Sequence, residues 1–186
     1  MTLGGSGMPE LMDICRASQW LLIYRGNLTS TSTNRLNTNV LLDGGDPRET
    51  LRIKKLLGFL DGQTTNPTIV AKNPDIQRRI ASGRKLTSSE HKNEYKRIVK
   101  EISPLVGEAC VSIEVFADFG TTGEHMLAQG EEMYAWIPNA YIKYPCLPEG
   151  LRAAKMSVER GIRVNMTLCF SQSQAAAVLC RDPRIA

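Results

Sequence analysis

The chain has 186 residues, 42% hydrophobic and 23% charged, which is the composition of an ordinary folded domain with a sizeable core. Its formal charge of +4 is spread along the sequence, not gathered into a basic tract with interleaved aromatics, so nucleic acid is not an expected partner. No apolar run approaches a bilayer span (the longest is Trp20–Tyr24) and no leader pattern opens the chain; it reads as cytoplasmic, with no membrane partner.

The N-terminal residues 1–37 read as an extension. Leu11–Tyr24 is assigned a short helix, and the Ser/Thr/Asn tract Asn27–Asn37 has no period and is expected to be partly disordered. Asn27-Leu-Thr29 and Asn165-Met-Thr167 match the glycosylation pattern, which carries little meaning in the cytoplasm.

From Asn39 onward, residues 38–186 form the folded unit. Asn39–Asp43 is a short buried strand stopped by Gly44-Gly45. Asp46-Pro47 then gives an N-cap and first turn, and the helix behind it is expected to turn Leu51, Leu56 and Leu57 inward. Phe59–Gly62 is assigned the second strand, running into Gln63-Thr-Thr-Asn-Pro67 and a short helix near Asp75–Ile80. Ser82-Gly83 breaks the chain, and Thr87-Ser-Ser-Glu90 is a capping box for a long charged helix to about Leu105. Lys85, Lys92, Lys96, Arg97 and Lys100 form its solvated face.

Ala109–Phe116 is the third strand and Thr122–Trp136 its helix. The fourth strand ends at Pro145 and its helix spans Glu149–Arg160, capped by Gly161. Ile162–Leu168 and Ser171–Leu179 complete a fifth pair. Five alternations with short, continuously apolar strands indicate a parallel sheet covered by helices. The five cysteines (Cys15, Cys110, Cys146, Cys169, Cys180) lack CxxC spacing and read as reduced core thiols. His91 and His125 read as surface residues, and no metal site or cofactor motif is apparent.

Polar and reactive residues recur on the strands. The first ends in Asp43, the second runs into Asn66, the third carries Glu114, the fourth Lys143, and the fifth Asn165 and Thr167. Strand ends converge on one site in a βα barrel, which is the reading adopted here. Each residue has a plainer role: Asp43 as a turn cap, Asn66 as the residue before Pro67, Glu114 as a salt-bridge partner, Lys143 as a snorkelling strand-end cation. Lys143 stands in an otherwise uncharged strand, where burial favours a neutral, nucleophilic amine.

The runs Asp43-Gly-Gly-Asp46, Gln63-Thr-Thr-Asn-Pro-Thr68, Ser112-Ile-Glu-Val115, Tyr141-Ile-Lys-Tyr-Pro145 with Glu149-Gly-Leu151, and Gly161-Ile-Arg-Val-Asn-Met-Thr-Leu168 with Phe170-Ser171 and Gln174-Ala175 strongly resemble transaldolases. The resemblance runs from about Val40 to Ala177. It implies an α/β fold of the (β/α)8 barrel type, of which five βα units are present here. A full barrel takes about 250 residues, and the later strands that carry the family's sugar-phosphate site have no counterpart in this sequence. The chain therefore reads as cut short after its fifth unit, with two open sheet edges and a tendency to self-associate, as a homo-oligomer or otherwise.

The chemistry implied is a class I aldol transfer between sugar phosphates, of the pentose phosphate route, without metal or cofactor. Lys143 would form a Schiff base with the ketose and Asp43 would take the C4 hydroxyl proton. Glu114 would act through a water held with Thr167, and Asn66 and Asn165 would hold the dihydroxyacetone fragment. Ser171 would support the lysine pocket or cap the fifth helix. Family relatives that act as simple aldolases on dihydroxyacetone tend to carry glutamine at the position of Glu114, which favours transfer. Leu147 departs from the family's usual threonine. The remaining reading is a non-catalytic barrel fragment.

Overall fold

A computed structural model describes residues 19–23, 38–83 and 86–185 of the chain. Six strands form one sheet in chain order: β1 (Gln19–Ile23), β2 (Asn39–Asp43), β3 (Gly62–Thr65), β4 (Cys110–Glu114), β5 (Ala140–Pro145) and β6 (Val164–Thr167). The five strands β2–β6 are parallel, and β1 is antiparallel to β2. The helices are α1 (Pro47–Leu57), α2 (Pro67–Ala71), α3 (Pro74–Ala81), α4 (Ser88–Val106), α5 (Gly123–Tyr134), α6 (Pro148–Glu159) and α7 (Gln172–Arg181). Parallel strands in sequential order, each joined to the next through helix, make a partial (β/α) barrel.

Helix starts follow local chemistry. Asp46 accepts from Arg48 N with Pro47 in the first turn, Thr87 and Glu90 close a capping box, and Ser171 accepts from Gln174 N. Ser171 is thus a helix cap. Gly161, at φ +76°, turns the chain out of α6.

The core lies between the sheet and its helices. Ile113, Ile142, Tyr144 and Val164 meet Ile98, Val99 and Ile102 of α4, Met126 and Met133 of α5, and Ala153 and Ala154 of α6. Side chains alternate along a strand, so the opposite sheet face receives the other set: Asp43, Thr64, Ser112, Glu114, Lys143 and Asn165, aligned by the registers Asp43↔Thr64, Thr64↔Ser112, Glu114↔Lys143 and Lys143↔Asn165. The apolar residues of the lysine strand, Ala140, Ile142 and Tyr144, belong to the helix-facing side. The lysine's own face is a polar row in which Thr64, Ser112, Lys143 and Asn165 are buried.

Four expectations are corrected. The second half of Leu11–Tyr24 is not helical: Gln19–Ile23 pairs with β2, because the apolar run Trp20-Leu-Leu-Ile23 satisfies an edge that would otherwise expose ladder groups. The rest of residues 1–37 lies outside the described residues, as do Cys15, Lys85 and the first glycosylation-like triplet.

The second strand is Gly62–Thr65, not Phe59–Gly62. Its polar side chains are buried because neighbours satisfy them. Gln63 accepts from Thr50 Oγ1 (2.8 Å) and donates to Gly44 O (3.0 Å), and Thr65 Oγ1 donates to Ser112 O (2.8 Å).

In α1, Leu51 and Leu56 are exposed; Thr50 and Ile53 face inward instead, and Leu57 packs at the core edge. Of the thiols, Cys146 is buried and Cys110 half-buried, but Cys169 and Cys180 are exposed, since the loop after β6 and the outer face of α7 are not covered. His125 is exposed, as read, and His91 half-buried. On α4, Lys92 pairs with Glu132 and Arg97 with Glu94 and Glu101, consistent with a solvated face. Among the described residues no helix is long and apolar enough to cross a membrane.

Candidate active site

Lys143 sits near the end of β5, one strand from Glu114 and one strand from Asn165. It is 6% exposed, and its Nζ lies 3.1 Å from Glu114 Oε2. A buried ammonium needs such a partner. The plain salt-bridge role read for Glu114 is therefore present in the fold. Burial pushes the Glu114 carboxyl above its usual range; the charge and hydrogen bond of Lys143 oppose this, and the nearby Asp43 charge adds to it.

Two glycines let helices approach the lysine strand closely. A Cβ on Gly150 would lie 1.9 Å from Pro145 O, and one on Gly130 would lie 2.0 Å from the Tyr144 hydroxyl. These contacts seat α6 and α5 directly on β5.

The amine opens on a cavity of about 760 Å³ at the C-terminal ends of the strands. Asp43, Asn66, Glu114, Lys143 and Thr167 all line it. Asp43 Oδ1 accepts from Thr64 Oγ1 at 2.6 Å, which fixes the carboxylate at the tip of β2. Asn66 caps α2, its Oδ1 accepting from Ile69 N at 2.8 Å, so it does have the local role expected beside Pro67. Asn165 is buried beside Lys143 but is not a wall of the cavity; its Nδ2 donates to Ser112 Oγ at 3.1 Å. The sequence reading missed Lys72, Asp118 and Phe116, which also line the cavity. Phe116 lay within the assigned third strand, but nothing in the spacing set Lys72 or Asp118 apart from other surface charges.

The site brings together a buried lysine against one carboxylate and a second carboxylate lining the same cavity. Residues 40–184 match the family model described as transaldolase/fructose-6-phosphate aldolase. The chain belongs to that family.

It is similar to a probable transaldolase of Leptospira biflexa, 38% identical over 137 residues, covering 74% of this chain and 53% of the relative. A probable transaldolase of Bacteroides thetaiotaomicron is 40% identical over 119 residues, covering 64% of this chain and 46% of the relative. A third, from Dehalococcoides mccartyi, is 38% identical over 119 residues. The chain spans about half the length of the curated relatives it matches. Leu147 occupies the N-cap of α6 and makes no side-chain cap hydrogen bond.

Proposed function

We propose that this transaldolase-family chain transfers a dihydroxyacetone unit between sugar phosphates through a Schiff base on Lys143, in the cytoplasmic pentose phosphate route. The observation that carries the proposal is the buried amine 3.1 Å from Glu114, opening on a cavity that Asp43 also lines.

Lys143 gives a proton to Glu114, which burial makes a stronger base than an ordinary carboxylate, and attacks C2 of the ketose. The carbinolamine loses water as Glu114, through a water held with Thr167, returns the proton to the leaving hydroxyl. Asp43 then takes the proton of the C4 hydroxyl while the C3–C4 bond breaks. The bonding pair moves into the iminium to leave an enamine, and an aldehyde departs. The enamine adds to the acceptor aldehyde, Asp43 returns the proton, and hydrolysis frees Lys143. Asn66 and Asn165 orient the three-carbon fragment; Asn165 does so once its amide leaves Ser112 or through its carbonyl oxygen. No metal enters these steps.

The family's description also covers a simple aldolase. Incubation with fructose 6-phosphate, followed by NMR with and without erythrose 4-phosphate, separates the two. Transfer to erythrose 4-phosphate supports the proposal. Release of glyceraldehyde 3-phosphate without acceptor indicates the aldolase, and no turnover of either kind indicates a non-catalytic fragment.

A further inference from the structure

Behind the cavity, on the helix side of the sheet, Tyr95 of α4 is completely buried among Phe116 and Trp136, with edge-on ring contacts at 6.0 and 5.9 Å. Its hydroxyl makes two contacts: with Thr65 Oγ1 at 2.8 Å and with Glu114 N at 2.9 Å.

Proton counting fixes the direction of both. Thr65 Oγ1 gives its one hydrogen to Ser112 O. The Tyr95 hydroxyl must therefore donate to Thr65 and accept from the Glu114 amide. Each hydroxyl gives once and receives, with no slack in the chain.

The contact falls where the sheet ends. Thr65↔Ile113 is the last pair between β3 and β4. Beyond it β3 turns into α2, with Asn66 as cap and Pro67 in the first turn. The next amide of β4 is that of Glu114, and the tyrosine hydroxyl receives it in place of a strand. On the other side, Val115 N is held by Lys143 O at 3.2 Å. The backbone of Glu114 is thus pinned between α4 and the lysine strand.

We propose that Tyr95 is a positioning residue: through the Glu114 amide it sets the Glu114 carboxylate at contact distance from Lys143. This deepens the proposed function, since it is the placement of that acid that the Schiff-base chemistry would use. Losing the hydroxyl leaves the amide without its acceptor and lets the tip of β4 drift, which weakens the hold of Lys143 on the acid.

The test reads Glu114 directly. Its side-chain carboxyl is titrated by carbon-13 NMR in the full chain, assigned by the signal missing from Glu114→Gln. In Tyr95→Phe the midpoint rises by about half a pH unit or more, as expected when an opposing charge moves away. The control is Tyr144→Phe, a second fully buried tyrosine whose hydroxyl meets Ser157 Oγ at 2.8 Å on the helix side. It is expected to lose stability without moving the midpoint. If Tyr95→Phe does not fold, Thr65→Val removes the acceptor of the phenol's proton and gives a shift in the same direction. A folded Tyr95→Phe, or failing that Thr65→Val, with the wild-type midpoint overturns the proposal. The readout needs no turnover: absence of a ketose adduct on wild-type Lys143 would defeat the proposed function and leave this coupling to be judged by the titration.

Discussion

Lys143 and Glu114 share a buried contact in which each is the other's charge partner. Replacing Lys143 with Met removes the opposition to burial and leaves the acid alone near Asp43. The sign follows from proton counts. The unfolded carboxyl ionises near 4.5, whereas the folded one in Lys143→Met holds its proton to higher pH. Between those values the native state binds more protons, so stability falls as pH rises through the window. Chemical denaturation at several pH values should show that slope in Lys143→Met and its absence in Lys143→Met/Glu114→Gln. Activity losses should separate by role: Asp43→Ala is expected to keep the ketose adduct while lowering transfer by about a hundredfold or more, the usual contribution of a general base. Adduct trapping beside transfer kinetics distinguishes that from a loss of binding.

At the level of elements, the approach of α6 to β5 depends on Gly150. In Gly150→Ala the new methyl meets the Pro145 carbonyl, a backbone atom that cannot rotate away. The expected cost is at least about 3 kcal/mol, at the upper end for overpacked cores, with the lysine strand displaced; urea denaturation and adduct trapping report both. Leu147→Thr should act the other way, since a hydroxyl at the uncapped start of α6 supplies a missing acceptor and adds about 0.5–1 kcal/mol. Burial pushes the Tyr144 phenol up to about 12, against an ordinary value of 10.0. The unfolded chain loses that proton first, so Tyr144 favours unfolding as pH rises from 10.0 toward about 12. The alkaline fall in thermal stability should be shallower in Tyr144→Phe.

Elements with local signals were legible in the sequence: the capping box at Thr87, the Asp46-Pro47 start and the Gly161 stop are set by residues a turn apart. β3 was misplaced because Gln63, Thr64 and Thr65 become buried only through partners on α1, β2 and β4. Tyr95 escaped notice for the same reason; on its charged helix it looks like one more core residue. Among the candidate site residues, those at strand tips declared themselves by type and order. The bond of Asn165 to Ser112 could not be read without the register that aligns them.

Across the whole molecule, β1 covers the edge of β2, and among the described residues β1 and β6 are the two edge strands of the sheet. Leu168, Phe170 and Leu179, on the segments that follow β6, are exposed. We expect this side to associate: sedimentation velocity should show species larger than the monomer that grow with concentration, whereas a single concentration-independent monomer with cooperative melting contradicts this. Leu168, at φ +59°, is the single described non-glycine residue with left-handed backbone, and it forms part of the cavity rim. The polar face of the sheet and the helix-packed core behind it place one buried amine against Glu114 at the wall of a cavity, and the proposed function has that amine capture a ketone. The direct measurement is borohydride reduction of the chain with fructose 6-phosphate, followed by intact mass and peptide mapping. One ketose-derived adduct per chain is expected, located on Lys143 and absent from Lys143→Met. An unmodified chain, or adduct spread over the surface lysines, would contradict it.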